Sequence, residues 1–239
     1  MPTTPETSSL TEAVKDAGRR VGFVRLGIAA PSALDGAQPL IERWVARGHH
    51  GQMSYLAEFG TRHARFRASL HDIKSLLIVA ASYAGHPPPT GPGQGKVARY
   101  AAGKDYHRVL DRRLKILGGE LERLAGRPLR LRSCVDTAPI HERALAREAG
   151  VGFIGKNTCL IVTTTGSWVV LGLLATDLSL TPDAPLTTSH CGSCTRCLEA
   201  CPTQALTAPY EMDARRCIAY LTLEHRGSIP EPMRDAMGS

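Results

Sequence analysis

Five of the chain's seven cysteines lie between positions 191 and 217, and four of them fall in one run, "CGSCTRCLEACPTQAL". Their spacing is C-x2-C-x2-C-x3-C followed by Pro202. Thiolates this close together on tight turns converge on an iron–sulfur cluster, and in this spacing the fourth cysteine usually ligates a different cluster from the first three. Cys191, Cys194 and Cys197 are therefore expected to share one cluster, and Cys201 to belong to a second. Cys217, in "MDARRCIAYL", reads alone as a small buried hydrophobe, but beside an incomplete set it becomes a candidate ligand. A structural zinc site is the competing chemistry; it usually takes two C-x2-C pairs well apart in sequence. Cys134 and Cys159, in and beside predicted strands, are expected in the core.

The ligand count does not close. Each cubane cluster takes four thiolates, so five candidates leave two clusters three ligands short. The missing thiolates are expected from chain beyond Ser239 or from a partner. The ending "PEPMRDAMGS" shows no terminal helix or tail, and the chain is expected to be a fragment.

A second candidate is Asp136 in "CVDTAP". It stands at the end of a predicted strand just before a predicted helix, where α/β proteins commonly build sites. The plainer reading is a helix cap. Arg99 reads as a surface or salt-bridge residue and "GKN", with Lys156 and Asn157, as a polar turn. Thr222 and His225 closely follow a cluster cysteine, and His225 reads equally as a satisfied interior histidine.

These residues need a scaffold. Residues 8–20 suit a helix capped by Ser8 or Ser9, "VGFVRLGIA" a strand, and "PLIERWVARGHHG" an amphipathic helix. "SLLIVAASY" is a buried strand, and the proline and glycine density of "AGHPPPTGPGQG" makes it a loop. "DYHRVLDRRLKILGGELERL" is helical, "LRLRSCVD" a strand, and "PIHERALAREAG" a helix with Pro139 in its first turn. "CLIVTTTGSWVVLGLLATDL" gives two strands around a turn at Thr165-Gly166. The organisation is an α/β domain to about residue 180, a loop, and a cysteine-rich module.

The 239 residues are 43% hydrophobic and 21% charged, ordinary for a soluble globular protein. No apolar run reaches the ~18–20 residues of a membrane helix, and the N-terminus has no basic region followed by an apolar stretch. A cytoplasmic location is expected, where thiols stay reduced. The excess of 29 Lys+Arg over 22 Asp+Glu, a net +7, fits either a solvated basic surface or a nucleic-acid partner.

Four segments in order, "ARYAAGKDYHRVL", "CVDTAPIHERALAREAGVGFIGKNTCLI", "CGSCTRCLEACPTQAL" and "RRCIAYLTLEHRGSIP", resemble the epoxyqueuosine reductases, cobalamin- and iron–sulfur-dependent enzymes of tRNA modification. The resemblance implies an α/β (α+β) cobalamin-binding domain over residues 1–180 and a ferredoxin-like module over 186–239. It implies two 4Fe-4S clusters in the full-length protein, with a further C-x2-C-x3-C-P group supplying the three missing ligands. The implied reaction reduces epoxyqueuosine, at the wobble position of the tRNA anticodon loop, to queuosine. Electrons would come from an external donor through a cluster to cobalamin, in a monomer. Asp136 matches the family's proton donor, where burial beside the corrin would keep it protonated. Arg99, Lys156 and Asn157 match positions at or near the cobalamin. Thr222 and His225 would lie between cluster and corrin, with Tyr106 and His107 on the substrate side. The segment "RHARFRASLHDIK" departs from the family's Pro-rich "LLPGAKS" form, so no cofactor contact is placed there.

Two other functions compete. A reductive dehalogenase-like enzyme would keep the cobalamin, but such proteins commonly carry a twin-arginine export signal and none is visible. A plain iron–sulfur electron carrier would leave about 180 residues of α/β domain unexplained, since a ferredoxin module needs only about 60.

Overall fold

The apolar runs at 75–82 and 169–176 form the two central strands of a four-stranded sheet in the computed structural model, which describes residues 5–85, 91–93 and 97–237. Along the chain the helices are α1 (Pro5–Val21), α2 (Gln38–Ala46), α3 (Ser54–Ala57), α4 (Phe59–Ala68), α5 (Tyr106–Ala125), α6 (Glu142–Glu148), α7 (Arg196–Glu199), α8 (Ile218–Leu223) and α9 (Glu231–Met237). The strands are β1 (Arg25–Ala29), β2 (Ser75–Ser82), β3 (Leu131–Cys134), β4 (Phe153–Ile154), β5 (Leu160–Ile161) and β6 (Val169–Thr176). The large sheet has the order β1-β2-β6-β3, and every pairing is antiparallel. The architecture is thus α+β. The short strands β4 and β5 form a separate hairpin.

Side chains alternate across a strand, and β2 divides its own between two cores. Leu77, Val79 and Ala81 pack with Val14 and Ala17 of α1 and with Leu110, Leu114, Leu117 and Leu121 of α5. Leu76, Ile78 and Ala80 pack on the opposite face with Phe66 of α4 and with Leu145 and Ala146 of α6. Helices on both faces explain why β2 reads as an unbroken apolar run. Helix α5 begins at the cap Asp105, whose carboxylate accepts the His107 N–H, and stops at Gly126, whose φ of 64° lies in the left-handed region.

Several expectations need correction. Helix α1 starts at Pro5, ahead of Ser8 and Ser9. Helix α6 starts at Glu142, so Pro139 belongs to a bend rather than to a first helical turn, and β3 ends at Cys134. Helix α4 falls where the sequence offers only a basic cluster. The chain's end is helical: Met233 and Met237 of α9 pack against a small core formed by Ala214, Tyr220 and Leu221. Of the proline-rich loop 84–95, residues 86–90 and 94–95 lie outside the described residues.

The cysteine-rich segment docks on the N-terminal half. The Trp44 indole N–H donates to the Met212 carbonyl (2.6 Å), and the Tyr220 hydroxyl accepts the Gln52 backbone N–H (2.9 Å). Ala214 N–H reaches the His49 carbonyl at 3.0 Å. Gly51 has φ 58°, and a Cβ there would collide with the Tyr220 hydroxyl. Close approach and backbone conformation together require glycine at that position.

Candidate active site and cluster-binding cysteines

Asp136 lies two residues beyond β3, in a bend that runs to His141. Its φ of 60° is unusual for a residue with a side chain. Its backbone N–H donates to Glu142 Oε1 at 2.9 Å, fixing the bend to the start of α6. A second tie comes from α4, where His63 Nδ1 donates to the Pro139 carbonyl at 2.8 Å. The His63 ring belongs to a stack with Phe59 and His141. The N-cap position of α6 is held by His141, whose side chain makes no capping hydrogen bond, so Asp136 is not a helix cap. Its side chain is 61% exposed; the burial expected of it is not present in the chain alone.

Three groups from the start of α5 converge there. His107 Nε2 lies 3.4 Å from Asp136 Oδ2, and its Nδ1 lies 2.8 Å from Asp105 Oδ1. The Tyr106 ring stacks on His107 at 4.0 Å. Burial, followed by the charges of Asp136 and Glu142, pushes the Tyr106 phenol up to about 12. Glu142 is pushed up to about 7, first by burial and then by the charge of Asp136, against the pull of the Asp136 N–H. The hydrogen bond to Asp105 is the main cause that raises His107 above its ordinary value.

Aromatic rings continue away from this point. Tyr106 meets Tyr100, Tyr100 meets Tyr83, and Tyr83 meets Trp168, each edge-on. The Arg99 guanidinium sits 4.4 Å over the Trp168 ring. Tyr55, Tyr100 and Trp168 are each more than two-fifths exposed. Grouped exposed aromatic faces of this kind mark ligand surfaces.

Other expected site residues occupy different places. Lys156 and Asn157 form the turn of the β4–β5 hairpin. The Lys156 ammonium donates to the carbonyls of Gly192 (2.7 Å) and Cys194 (2.9 Å), clamping the cysteine loop. The Asn157 side-chain oxygen accepts the Cys159 N–H. Thr222 returns its hydroxyl to Ile218 O within α8. His225 is not interior: its Nε2 faces the Ser228 carbonyl at a partly exposed position.

Cys134 is buried as expected, but Cys159 is not a core residue. Burial is the largest cause raising its thiol, and Cys197 and Cys217 add to it.

All seven cysteines are free thiols, and two in the cluster segment face backbone donors. Lys156 N–H points at Cys191 Sγ (3.5 Å), and Ala205 N–H at Cys201 Sγ (3.2 Å). At Cys191 the Lys156 N–H, with help from Ser189, holds the thiol below its ordinary range. At Cys201 burial acts upward, but N–H groups of Leu206, Ala205 and Thr203 outweigh it. Amide donors to thiolates suit a cluster. Among the described residues, no three His, Cys, Asp or Glu side chains stand close enough for a single metal ion. Glu142 and the His63 tie were missed in the sequence. The only signal was a glutamate in a helix's first turn, which ordinarily serves the helix dipole.

Residues 63–137 match the family model for the epoxyqueuosine reductase QueG, and residues 190–239 match the 4Fe-4S double cluster binding domain. An epoxyqueuosine reductase of Xanthomonas campestris is 41% identical over 98% of this chain and 67% of its own length. A crystal structure of an epoxyqueuosine reductase with an epoxyqueuosine-modified tRNA stem loop superimposes with TM-score 0.78 at 30% identity, covering 96% of this chain and 61% of that one. A Bacillus subtilis epoxyqueuosine reductase, 29% identical with TM-score 0.78 over 96% of this chain and 61% of its own, has its catalytic aspartate loop swung out of the active site. A catabolic reductive dehalogenase at 15% identity and TM-score 0.52, over 90% of this chain and 25% of its own, shares the fold alone. The chain thus spans about two thirds of the curated relatives it matches and belongs to the epoxyqueuosine reductase family.

Proposed function

We propose that the protein of which this chain is part reduces epoxyqueuosine to queuosine in tRNA, with cobalamin and two 4Fe-4S clusters as cofactors and Asp136 as the acid. The observation that carries the reading is the position of Asp136: a carboxyl held at left-handed φ on a doubly tied bend, next to Tyr106 and the row of aromatic rings that runs on from it. Exposed aromatic rings near a titratable acid suit a corrin. The crowded cysteine segment, with its amide donors, suits clusters.

In this reading Cys191, Cys194 and Cys197 hold one cluster, while Cys201 and Cys217 contribute to the other. Lys156 positions the loop of the first cluster by bonding Gly192 and Cys194. Arg99, Asn157, Thr222 and His225 stand around the corrin, and Tyr106 and His107 border the modified base. The bound cofactor supplies the electron chemistry that side chains cannot. The chain's part is to orient the base, exclude water and deliver protons from Asp136 as charge develops on the epoxide oxygen. Residues 1–180 form the cobalamin and substrate unit, and 186–239 the cluster unit. The protein works as a cytoplasmic monomer with an external electron donor. Contact with the anticodon loop draws on the net +7 charge.

The test is anaerobic reconstitution of the complete protein with iron, sulfide and cobalamin, followed by nucleoside analysis of epoxyqueuosine-containing tRNA. Conversion to queuosine together with corrin absorbance on the protein is expected. Iron loading without corrin binding or conversion would favour the plain electron carrier.

A further inference from the structure

Converting an epoxide to an alkene breaks both C–O bonds and releases the oxygen as water. The balance is two electrons and two protons per turnover. If Asp136 is the acid, as the preceding reading holds, one carboxyl delivers one proton as the first C–O bond breaks. The same oxygen needs a second before it can leave. Asp136 must therefore be reloaded within the turnover.

Among the described residues, two ionisable side chains meet the Asp136 carboxyl, the Tyr106 phenol and the His107 imidazole, and a phenol pushed up to about 12 keeps its proton. His107 Nε2 lies 3.4 Å from Asp136 Oδ2, a long contact of the kind that tightens when substrate binds. Its Nδ1 faces Asp105 Oδ1 at 2.8 Å, and that oxygen also accepts the His107 N–H at 3.0 Å. The carboxylate is thus fixed as the helix cap, and it fixes the imidazole in turn. With Nδ1–H committed to Asp105, Nε2 is the nitrogen that exchanges a proton. Stacking on Tyr106 holds the ring plane, and the side chain remains 40% exposed.

We propose that the Asp105–His107 pair is a proton relay that reloads Asp136 between the two protonations of the epoxide oxygen. The Nε2–H bond of the imidazolium breaks and an O–H bond forms on Asp136 Oδ2. Neutral His107 keeps its Nδ1–H on Asp105, and Nε2 then takes a proton from solvent. The electron pair comes through the iron–sulfur and cobalamin cofactors and does not pass through this pair. His107 acts through Asp136 and is a positioning and relay residue. The charged and titratable groups around it are Asp105, Tyr106, Asp136 and Glu142, with Arg108 reaching Asp105. The acidic majority favours the imidazolium, the form the relay needs.

The experiment compares His107→Ala, His107→Gln and Asp136→Asn in the complete reconstituted protein. Steady-state conversion by both His107 variants should fall about 10²-fold, with iron and corrin content unchanged. Added imidazole should restore the Ala variant in a saturable manner, which a lost packing contact would not allow. Independently of turnover, the His107 imidazole signal followed by NMR should titrate at lower pH in Asp105→Asn and in Asp136→Asn than in the unaltered protein. Wild-type turnover in both His107 variants, or an unrescued loss, or an unmoved His107 titration, would overturn the relay while an inactive Asp136→Asn left the acid assignment standing. An active Asp136→Asn would overturn both.

Discussion

Glu142 offers a test that needs no substrate. Burial and the charge of Asp136 push its carboxyl from the ordinary 4.5 up to about 7. Between those values the folded state keeps a proton that the unfolded chain has released. The protein therefore loses stability as pH rises from about 4.5 to about 7, and the loss is complete above that. At about 1.4 kcal/mol per unit, the penalty approaches about 3 kcal/mol as an upper bound. Glu142→Gln keeps an oxygen to accept the Asp136 N–H but removes the charge. Its stability relative to wild type should improve by up to about 3 kcal/mol between pH 4.5 and pH 8. His141 supplies an internal reference. Burial, then His63 and Arg143, push it from 6.5 down to about 4, so its contribution to stability is lost as pH falls through that window. In wild type the two slopes oppose each other. In Glu142→Gln the His141 slope stands alone, and stability should fall steadily below pH 6.5. Urea unfolding of both proteins at a series of pH values measures the difference. Parallel profiles for the two proteins would refute the buried-carboxyl argument.

Other perturbations address the scaffold and the clusters. A methyl group at Gly27 of β1 would collide with the Ala149 carbonyl behind α6, so Gly27→Ala should destabilise by about 3 kcal/mol in urea unfolding. Gly119 lies exposed in α5, with nothing within 4 Å of the added Cβ; Gly119→Ala should stabilise by about 0.5–1 kcal/mol. Cys201→Ser should lower iron per chain after reconstitution, whereas Cys159→Ser should leave it unchanged even though Cys159 lies near Cys197 and Cys217. Equal iron in all three proteins would remove Cys201 from the ligand set.

What the sequence revealed and what it hid follow from the range of the interactions. The strand at 75–82 was legible because both its faces are buried, and α5 because Leu110, Leu114, Leu117 and Leu121 repeat at helical spacing. Helix α4 was not, because its buried face is Phe59, His63 and Phe66; a histidine at the central core position breaks the apolar pattern. The Asp136 bend was misjudged because Pro139 before "IHERALARE" imitates a helix start, while the positive φ of Asp136 is enforced by Glu142 and by His63. Cys159 was misplaced because its hairpin position resembles a buried strand start, although its side chain is exposed. The approach of His107 to Asp136 across 29 positions is a tertiary contact without a local signal. The cysteine spacing, by contrast, is chemistry written in neighbouring residues.

The central claim is that Asp136 delivers a proton to the epoxide, and Asp136→Asn tests it most directly. Asparagine keeps the size of the side chain and much of its hydrogen bonding but carries no transferable acid proton. The complete protein and the variant would be reconstituted side by side, and conversion of epoxyqueuosine-containing tRNA followed at matched iron and corrin content. Turnover should fall about 10²–10⁴-fold with tRNA affinity near normal. Conversion by the variant at close to the wild-type rate would contradict the account.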